Sequence, residues 1–248
     1  MDFYEIKERA LKSGTTEVRP AWRVHEFKDL MVRGKSFYAV YNPETHFWST
    51  HEYDLIRIVD ADVARRFQEA SKRVDGSVWA RYLGDYDSKT YSDYKAWMSK
   101  LPDVHQPLDS KILFANQTPR REDYATRTLS YSLSDDPCPA YEELMSTLYD
   151  PDEREKLEWG IGSVFTGDST WIQKFFVLYG SAGSGKSTVL NLISRLLDGH
   201  IGQFDAAALG RPSDQFALEP FKSNPRVAIQ HDGNLSKIAD NSRLNSLV

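Results

Sequence analysis

The stretch KFFVLYGSAGSGKSTVLNLISRLL, residues 174–197, decides the interpretation of this chain because three structural signals follow one another in it. FFVLYG is a continuous apolar run, which is typical of a strand buried on both faces of a sheet. GSAGSGKS, residues 180–187, satisfies the pattern G-x-x-x-x-G-K-[ST]. STVLNLISRLL has apolar residues at helical spacing, and Gly199 follows it as a C-terminal stop. The order of strand, glycine loop and helix predicts a phosphate-binding loop.

The chemistry of such a loop depends on its backbone and on one lysine. Glycines allow successive N–H groups to point at phosphate oxygens, and the helix N-terminus adds a partial positive charge. We predict that Lys186 contacts the β- and γ-phosphates of ATP and that the Ser187 hydroxyl ligates Mg²⁺. The alternative is a glycine-rich turn before an ordinary amphipathic helix. The predicted nucleotide-binding residues are Gly180, Ser181, Ala182, Gly183, Ser184, Gly185, Lys186, Ser187 and Thr188.

A nucleotide triphosphatase of this type also needs an acid at the end of a neighbouring strand to hold the Mg²⁺ shell. In NPRVAIQHDGN, residues 224–234, the apolar residues 227–229 predict a strand and Asp232 follows it. We therefore predict Asp232 as the acid near Mg²⁺ and, with Lys186, as a catalytic residue. Asp-Gly is also a turn signal, so a turn role for Asp232 is the alternative. SDQFALEPF, residues 213–221, predicts a short helix, and the resulting order predicts a parallel α/β sheet.

Composition sets limits on partners and compartment. Lys and Arg number 31 against 36 Asp and Glu, which gives a net charge of −5 and requires any nucleic-acid contact to be local. The single cysteine, Cys138, excludes an intramolecular disulfide and is interpreted as a small loop residue between two prolines. The N-terminus MDFYEIKERALKSG lacks the apolar run of a signal peptide, and no segment has the length of a membrane span. We predict a cytoplasmic protein that does not contact membranes.

The first part of the chain, residues 1–110, is predicted to be an aromatic-rich α+β domain. KSFYAVYNPETHFWST, residues 35–50, predicts a β-hairpin because apolar runs flank a turn that contains Asn42 and Pro43. HEYDLIRIVDADVARRFQEASKRV, residues 51–74, has apolar residues at helical spacing and predicts a helix. SKLPDVHQPLDS, residues 99–110, has the composition of a linker and predicts the domain boundary.

The second part is predicted to contain a mainly helical connecting region, residues 111–170, and a partial ATPase domain, residues 171–248. Asp150 followed by Pro151 predicts a helix start, because a capping side chain precedes a proline in the first turn. TGD, residues 166–168, predicts the end of that helix. The buried stripe of the helix is predicted to be Leu157, Ile161, Val164 and Phe165.

Three segments together resemble the primase-helicases of phages, plasmids and poxviruses, the superfamily 3 helicases. They are YATRTLSYSLSDDPCPAYEELMSTLYDPDEREKLEWGIGSVFTGD at 124–168, the glycine loop with its flanks at 174–194, and FALEPFKSNPRVAIQHD at 216–232. The glycine-loop pattern is common to many ATPases, so the first and third segments distinguish the family. The resemblance covers residues 35–248 and is strongest from residue 110 onward. It implies an N-terminal α+β domain followed by an AAA+-like, parallel-sheet P-loop ATPase domain.

The resemblance further implies an ATP-dependent DNA helicase that translocates on single-stranded DNA in replication, as a homo-hexamer and with other replication proteins as partners. Gly180, Gly183, Gly185, Lys186 and Ser187 match the family's Walker A motif, and Asp232 matches its Walker B acid. Family members commonly have a glutamate or an acidic pair there, whereas HDG offers one acid.

The family's sensor residue, arginine finger and pore hairpin follow Walker B, and the sequence given ends at Val248 before them. An arginine finger accelerates hydrolysis by about 10³- to 10⁵-fold, so we expect an incomplete motor domain that binds nucleotide better than it hydrolyses it.

Two other functions fit the same sequence. One is a regulatory AAA+ ATPase that acts on protein partners, and the other is a non-catalytic fragment whose first domain binds DNA or a replication partner.

Several smaller features have two interpretations. Asp60 and Asp62 have the spacing of the metal-binding aspartates of primases, but they are interpreted as helix-capping acids. Arg120 and Arg121 either contact a phosphate backbone or belong to a solvated loop beside acids. The histidines lack metal-ligand spacing and are interpreted as surface or interface residues: His25, His46, His51 and His105. The aromatic residues of the hairpin are interpreted either as base-stacking groups or as core: Tyr41, Phe47 and Trp48.

Overall fold

The structure is a computed structural model that describes residues 1–25, 27–167, 169–172, 174–211, 214, 216–222 and 225–231. It contains helices and small sheets, so the chain has the mixed α/β composition that the sequence predicts. Two compact units divide it: Met1–Leu108 with Pro119–Thr126, and Asp109–Thr118 with Arg127–Val248. Residues 119–126 therefore belong to the first unit, whereas the sequence grouped them with the connecting region 111–170.

The first unit consists of two three-stranded sheets and two longer helices. One sheet has the order β1-β2-β6, in which β1 and β2 are antiparallel and β2 and β6 are parallel. The other sheet has the antiparallel order β3-β4-β5. The bounds are β1 Tyr4–Ala10, β2 Thr16–Trp22, β3 Leu30–Arg33, β4 Ser36–Asn42, β5 Phe47–Ser49, α1 Glu52–Arg73, β6 Val78–Ala80 and α2 Lys89–Met98.

The hairpin and the long helix predicted for this unit are both confirmed. Strands β4 and β5 pair antiparallel with Asn42 opposite Phe47, and the Asn42 side chain accepts the Glu44 N–H at 2.9 Å within the turn. Helix α1 buries Val59 and Val63 completely, because apolar residues recur on one face of it. That face packs against Val18 of β2 in the main core of the unit.

Aromatic residues divide between the core and the surface of the first unit. Trp48, Tyr94 and Trp97 are buried, with 2%, 0% and 6% of their surface exposed. Tyr53 and Trp79 remain 61% and 40% exposed. Burial therefore confirms the core interpretation for Trp48, which has no ring face open to a base.

The second unit is mainly helical and has one small parallel sheet. Helix α4 begins as predicted, because the Asp150 side chain accepts the Glu153 N–H at 2.9 Å. It ends as predicted at Gly167, whose φ of 82° is a left-handed C-terminal cap. The bounds are α3 Pro139–Leu148, α4 Pro151–Thr166, α5 Ser169–Ile172, α6 Lys186–Leu196, β7 Ile201–Gln203, α7 Ala206–Leu209 and β8 Val227–Ile229.

Helix α6 and strand β8, both predicted from the sequence, contribute to the same hydrophobic cluster. Val189 and Ile193 of α6 share one hydrophobic cluster with Ile229 of β8. Strands β7 and β8 pair in parallel, with Ile201 opposite Val227. Because Val189 lies near the N-terminus of α6, this cluster anchors the end of the helix that follows the glycine loop.

The prediction of a short helix at residues 213–221 is wrong for the part of that segment that the structure describes. There the only helical turn is a 3₁₀ turn over Glu219–Phe221. Pro220 lacks the N–H that an α-helix requires and restricts the residue before it, which keeps the turn short.

Among the helices of the described residues, none has the length and apolar composition that crossing a membrane requires.

Candidate nucleotide-binding site

The predicted phosphate-binding loop leads directly into helix α6. Gly183 and Gly185 have φ values of 79° and 78°, the left-handed region that favours glycine. Gly185 is the N-cap of α6, and Lys186 is the first helical residue. The loop therefore forms a tight turn that leads into the N-terminus of α6, as the sequence predicts for residues 180–188.

The Lys186 side chain folds back over this loop. Its Nζ donates hydrogen bonds to the carbonyl oxygens of Gly180 and Ser181 at 3.0 and 2.7 Å, and to Ser184 Oγ at 3.1 Å. All three acceptors are neutral. Within the described residues no carboxylate forms an ion pair with Lys186, so its charge is not compensated by that part of the protein.

The backbone around Lys186 adds further donors. Inside the loop the Ser184 N–H reaches the Ser181 carbonyl at 3.4 Å, and the first helical bond joins the Val189 N–H to the Gly185 carbonyl at 3.1 Å. In the described part of the chain, the N–H groups of Lys186 and Ser187 have no acceptor, as expected for the first turn of a helix. These donors and the ammonium group lie at one helix terminus, which is the arrangement that binds an anion.

The loop is open to solvent. Residues 180–184 are exposed, and so are Ser187 and Thr188. The Ser187 hydroxyl has no hydrogen bond to a described residue, which leaves it available for the Mg²⁺ role that the sequence assigns to it.

The apolar run before the loop is not a strand, which corrects the sequence prediction for FFVLYG. Residues 174–180 have no regular structure, and Phe175, Val177 and Tyr179 are 53%, 57% and 97% exposed. A strand requires a hydrogen-bonded neighbour, and the described strands of this unit, β7 and β8, pair only with each other. The ring of Phe176 packs against Gly160 of α4, where any larger side chain would collide with it.

The acid predicted to complete the site, Asp232, lies outside the described residues. His231 beside it is described and exposed. Within the described ranges, no group of three histidine, cysteine or acidic side chains is arranged to hold a metal ion.

Asp60 and Asp62 lie inside α1 and have separate structural partners. Asp60 accepts the N–H groups of Leu83 and Gly84 at 2.6 and 2.8 Å. Burial raises the pKa of Asp60, and these two hydrogen bonds oppose the rise. Asp62 accepts a hydrogen bond from the Tyr4 hydroxyl at 2.5 Å. The helix-capping interpretation is therefore wrong for both residues, because they lie in the interior of α1 and Asp60 binds the backbone of the turn at 83–84 instead.

The remaining candidates also have local partners. Arg120 forms an ion pair with Asp123 at 3.5 Å, and Arg121 forms one with Glu122 at 3.0 Å. These pairs favour the solvated-loop interpretation of both arginines.

Cys138 is exposed at the N-cap of α3.

One supporting residue was not found from the sequence. A side chain at Gly185 would overlap the Cδ atoms of Leu148, the last residue of α3, whereas a side chain at Gly183 would meet nothing within 4 Å. Leu148 therefore holds the N-terminus of α6 close to α3. No local pattern relates positions 148 and 185, so only the folded chain identifies this contact.

We expect Gly185→Ala to destabilise the second unit more than Gly183→Ala does. Both substitutions force alanine into a left-handed conformation that costs about 1–2 kcal/mol, but only Gly185→Ala also displaces Leu148, at a further cost of about 1–3 kcal/mol. Thermal unfolding of the two variants measures the difference.

A double-mutant cycle with Leu148→Ala tests the cause. Removing the Leu148 side chain is expected to make Gly185→Ala less costly and to leave the cost of Gly183→Ala unchanged. Equal costs for the two substitutions in the parent chain would contradict the contact.

Comparisons with protein-family models, with curated proteins and with solved structures found no match.

Proposed function

We propose that the chain binds ATP with Mg²⁺ through residues 180–188. The observation that supports this most directly is the Lys186 ammonium group, which lies over its own loop and donates only to neutral acceptors among the described residues. A cation without a carboxylate partner there, beside helix N–H groups without acceptors, favours a ligand with several negative oxygens.

In this proposal each part of the loop has a separate role. Lys186 leaves its carbonyl acceptors and contacts the β- and γ-phosphates, while the N–H groups of the loop and of the first helical turn bind phosphate oxygens. Ser187 supplies its hydroxyl to Mg²⁺, and Asp232 is proposed as the acid of the metal shell. Mg²⁺ held by these residues would neutralise charge on the phosphates.

We further propose that this ATP site belongs to a replicative DNA helicase or primase-helicase of a phage or mobile element. The support is the sequence resemblance of residues 124–168 and 216–232 to superfamily 3 helicases, together with the loop-to-helix geometry at 180–188. ATP hydrolysis in the complete motor would then drive translocation on single-stranded DNA. A regulatory AAA+ ATPase that acts on proteins is the competing assignment.

Competition binding tests the ATP site. A fluorescent ATP analogue is bound to the chain and displaced with ATP or with adenosine, both in the presence of Mg²⁺. We expect ATP to compete at least about tenfold better, because the proposed contacts are to phosphates. Ser187→Ala is expected to reduce the gain in ATP affinity that Mg²⁺ provides. Equal competition by adenosine would contradict the proposal.

Single-stranded DNA distinguishes the two assignments of the motor. In a chain extended past Val248 to the complete motor, a helicase is expected to show ATP hydrolysis that rises when single-stranded DNA is added, whereas hydrolysis by an ATPase that acts on proteins is expected not to change. A rate that DNA does not change would favour the second assignment and leave the ATP site itself intact.

A further inference from the structure

The two faces of the sheet β1-β2-β6 in the first unit differ in the side chains that they carry. Helices α1 and α2 cover the face that carries Val18, because Val18, Val59 and Tyr94 belong to one core. Side chains alternate along a strand, so the neighbours of Val18 point to the opposite face. The strand register brings onto that opposite face Glu5, Lys7, Arg9, Glu17, Arg19, Trp79 and Arg81. The N–H of Arg81 donates to the Val18 carbonyl at 2.8 Å and continues the register past β6.

We name Lys7, Arg9, Arg19, Trp79 and Arg81 the basic sheet face. Four of these five side chains are cationic, and the two acids between them are already engaged. Glu17 is 2% exposed and forms ion pairs with Arg81 and Arg19, and Glu5 forms one with Lys7 at 2.7 Å. The face is therefore cationic in a chain whose net charge is −5.

Two donors of the basic sheet face have no complete set of partners. Arg9 is exposed and forms no ion pair or hydrogen bond with the described residues through its side chain. The Nε atom of Arg19 is buried and has no hydrogen-bond acceptor there, since Glu17 lies 3.9 Å away. A buried N–H without an acceptor is unusual in a folded protein.

Trp79 gives the face a second kind of chemistry. It is 40% exposed, it does not belong to the aromatic core, and the Arg81 guanidinium lies over its ring at 4.8 Å from the centroid. An exposed indole beside several cations is the combination that binds bases and phosphates together.

We propose that the basic sheet face binds single-stranded nucleic acid, with phosphates on Lys7, Arg9 and Arg19 and a base stacked against Trp79. An acidic protein would satisfy the cations, but it would need an aromatic side chain of its own in the right place to stack on Trp79, whereas every nucleotide carries a base beside its phosphate. A duplex would hide the faces of its bases inside the stack. Single strands offer both groups, and backbone charge supplies most of their affinity.

This binding needs no ATP and lies in the first unit, so it is independent of the proposed nucleotide site. It deepens the helicase proposal, with which it shares single-stranded nucleic acid as the ligand. Lys186→Ala is expected to leave it unchanged. Failure of the ATP proposal would likewise not affect it.

Fluorescence anisotropy of the full chain tests the proposal. The probe is a labelled oligothymidylate of about 20 nucleotides, without ATP or Mg²⁺, titrated at salt concentrations from about 50 to 200 mM. The double variant Lys7→Gln, Arg9→Gln is expected to reduce the slope of log affinity against log salt by about 0.7 for each charge removed. Trp79→Leu is expected to weaken binding about tenfold, with the slope unchanged.

A matched control removes two lysines elsewhere in the same unit. Lys72 and Lys100 are both exposed and lie outside the basic sheet face, so Lys72→Gln, Lys100→Gln is expected to keep the parent affinity and slope. The charge-preserving variant Lys7→Arg, Arg9→Lys is expected to behave like the parent. It separates loss of charge from loss of folding, which circular dichroism also checks.

Three results would overturn the proposal. They are absence of binding at low salt, equal weakening in the test and control variants, and displacement of the oligonucleotide by an acidic peptide at the same concentration. The last result would assign the face to an acidic protein partner.

Discussion

Replacing Lys186 with alanine is expected to lower the affinity of the chain for ATP by about 10- to 150-fold. Hydrogen bonds to a charged group contribute about 1.5–3 kcal/mol each, and Lys186 is the one side-chain cation that the motif directs at the phosphates. The lysine already lies over the loop, bonded to Gly180 and Ser181, so little rearrangement is needed to bring it to a phosphate. Isothermal titration with Mg²⁺-ATP measures the change.

The control for this variant is Lys174→Ala. Lys174 is exposed and precedes the loop, but the motif gives it no phosphate contact, so its removal is expected to leave the affinity within about twofold of the parent. An equal loss in both variants would mean that the affinity for ATP depends on overall positive charge and not on the loop. Without ATP, Lys174→Ala is expected to keep the thermal stability of the parent because its side chain is exposed. Lys186→Ala also loses three hydrogen bonds within its own loop, so its thermal stability is expected to fall slightly.

Elements with strong local signals were predictable from the sequence. Helix α4 has a capping aspartate before Pro151 and a glycine at its end, and each feature acts within one turn of chain. Helices α1 and α6 have apolar stripes, and the hairpin β4–β5 has a turn whose Asn42 caps its own backbone. In each case neighbouring residues contain the physical cause.

Elements that depend on distant partners were not predictable. The sheet β1-β2-β6 joins β2 to β6 in parallel across helix α1, and no local pattern specifies that pairing. FFVLYG has the apolar composition of a buried strand but does not pair with a described strand. Strand formation depends on a hydrogen-bonded neighbour as well as on composition, so the composition of this segment was insufficient.

The features of the candidate site also divide into those that local sequence predicts and those that depend on distant contacts. The loop, the left-handed glycines and the position of Lys186 follow from a short motif whose geometry is local. The support that Leu148 gives to Gly185 depends on the packing of α3, and the basic sheet face depends on the register of three strands. Along β1, Lys7 and Arg9 of the basic sheet face alternate with Tyr4, Ile6 and Glu8. This alternation indicates a strand whose two faces have different environments.

The second large effect is expected in the first unit, where Trp48→Ala should lower the free energy of unfolding by about 3–5 kcal/mol. Trp48 is 2% exposed and packs with Met31, Ala39 and Leu108. Its indole N–H also donates to the Arg121 carbonyl at 2.8 Å. The substitution removes both the buried ring and the hydrogen bond that attaches segment 119–126 to the hairpin.

Two variants separate these contributions in urea unfolding followed by circular dichroism. Trp48→Phe retains most of the ring but leaves the Arg121 carbonyl without this donor, and it is expected to cost about 1–3 kcal/mol. Trp79→Ala removes the same residue type from a position that is 40% exposed, and it is expected to cost about 1 kcal/mol for the lost contact with Arg81. If Trp48→Ala were as mild as Trp79→Ala, the ring could not be a core residue, and a base-stacking role for the hairpin would have to be reconsidered.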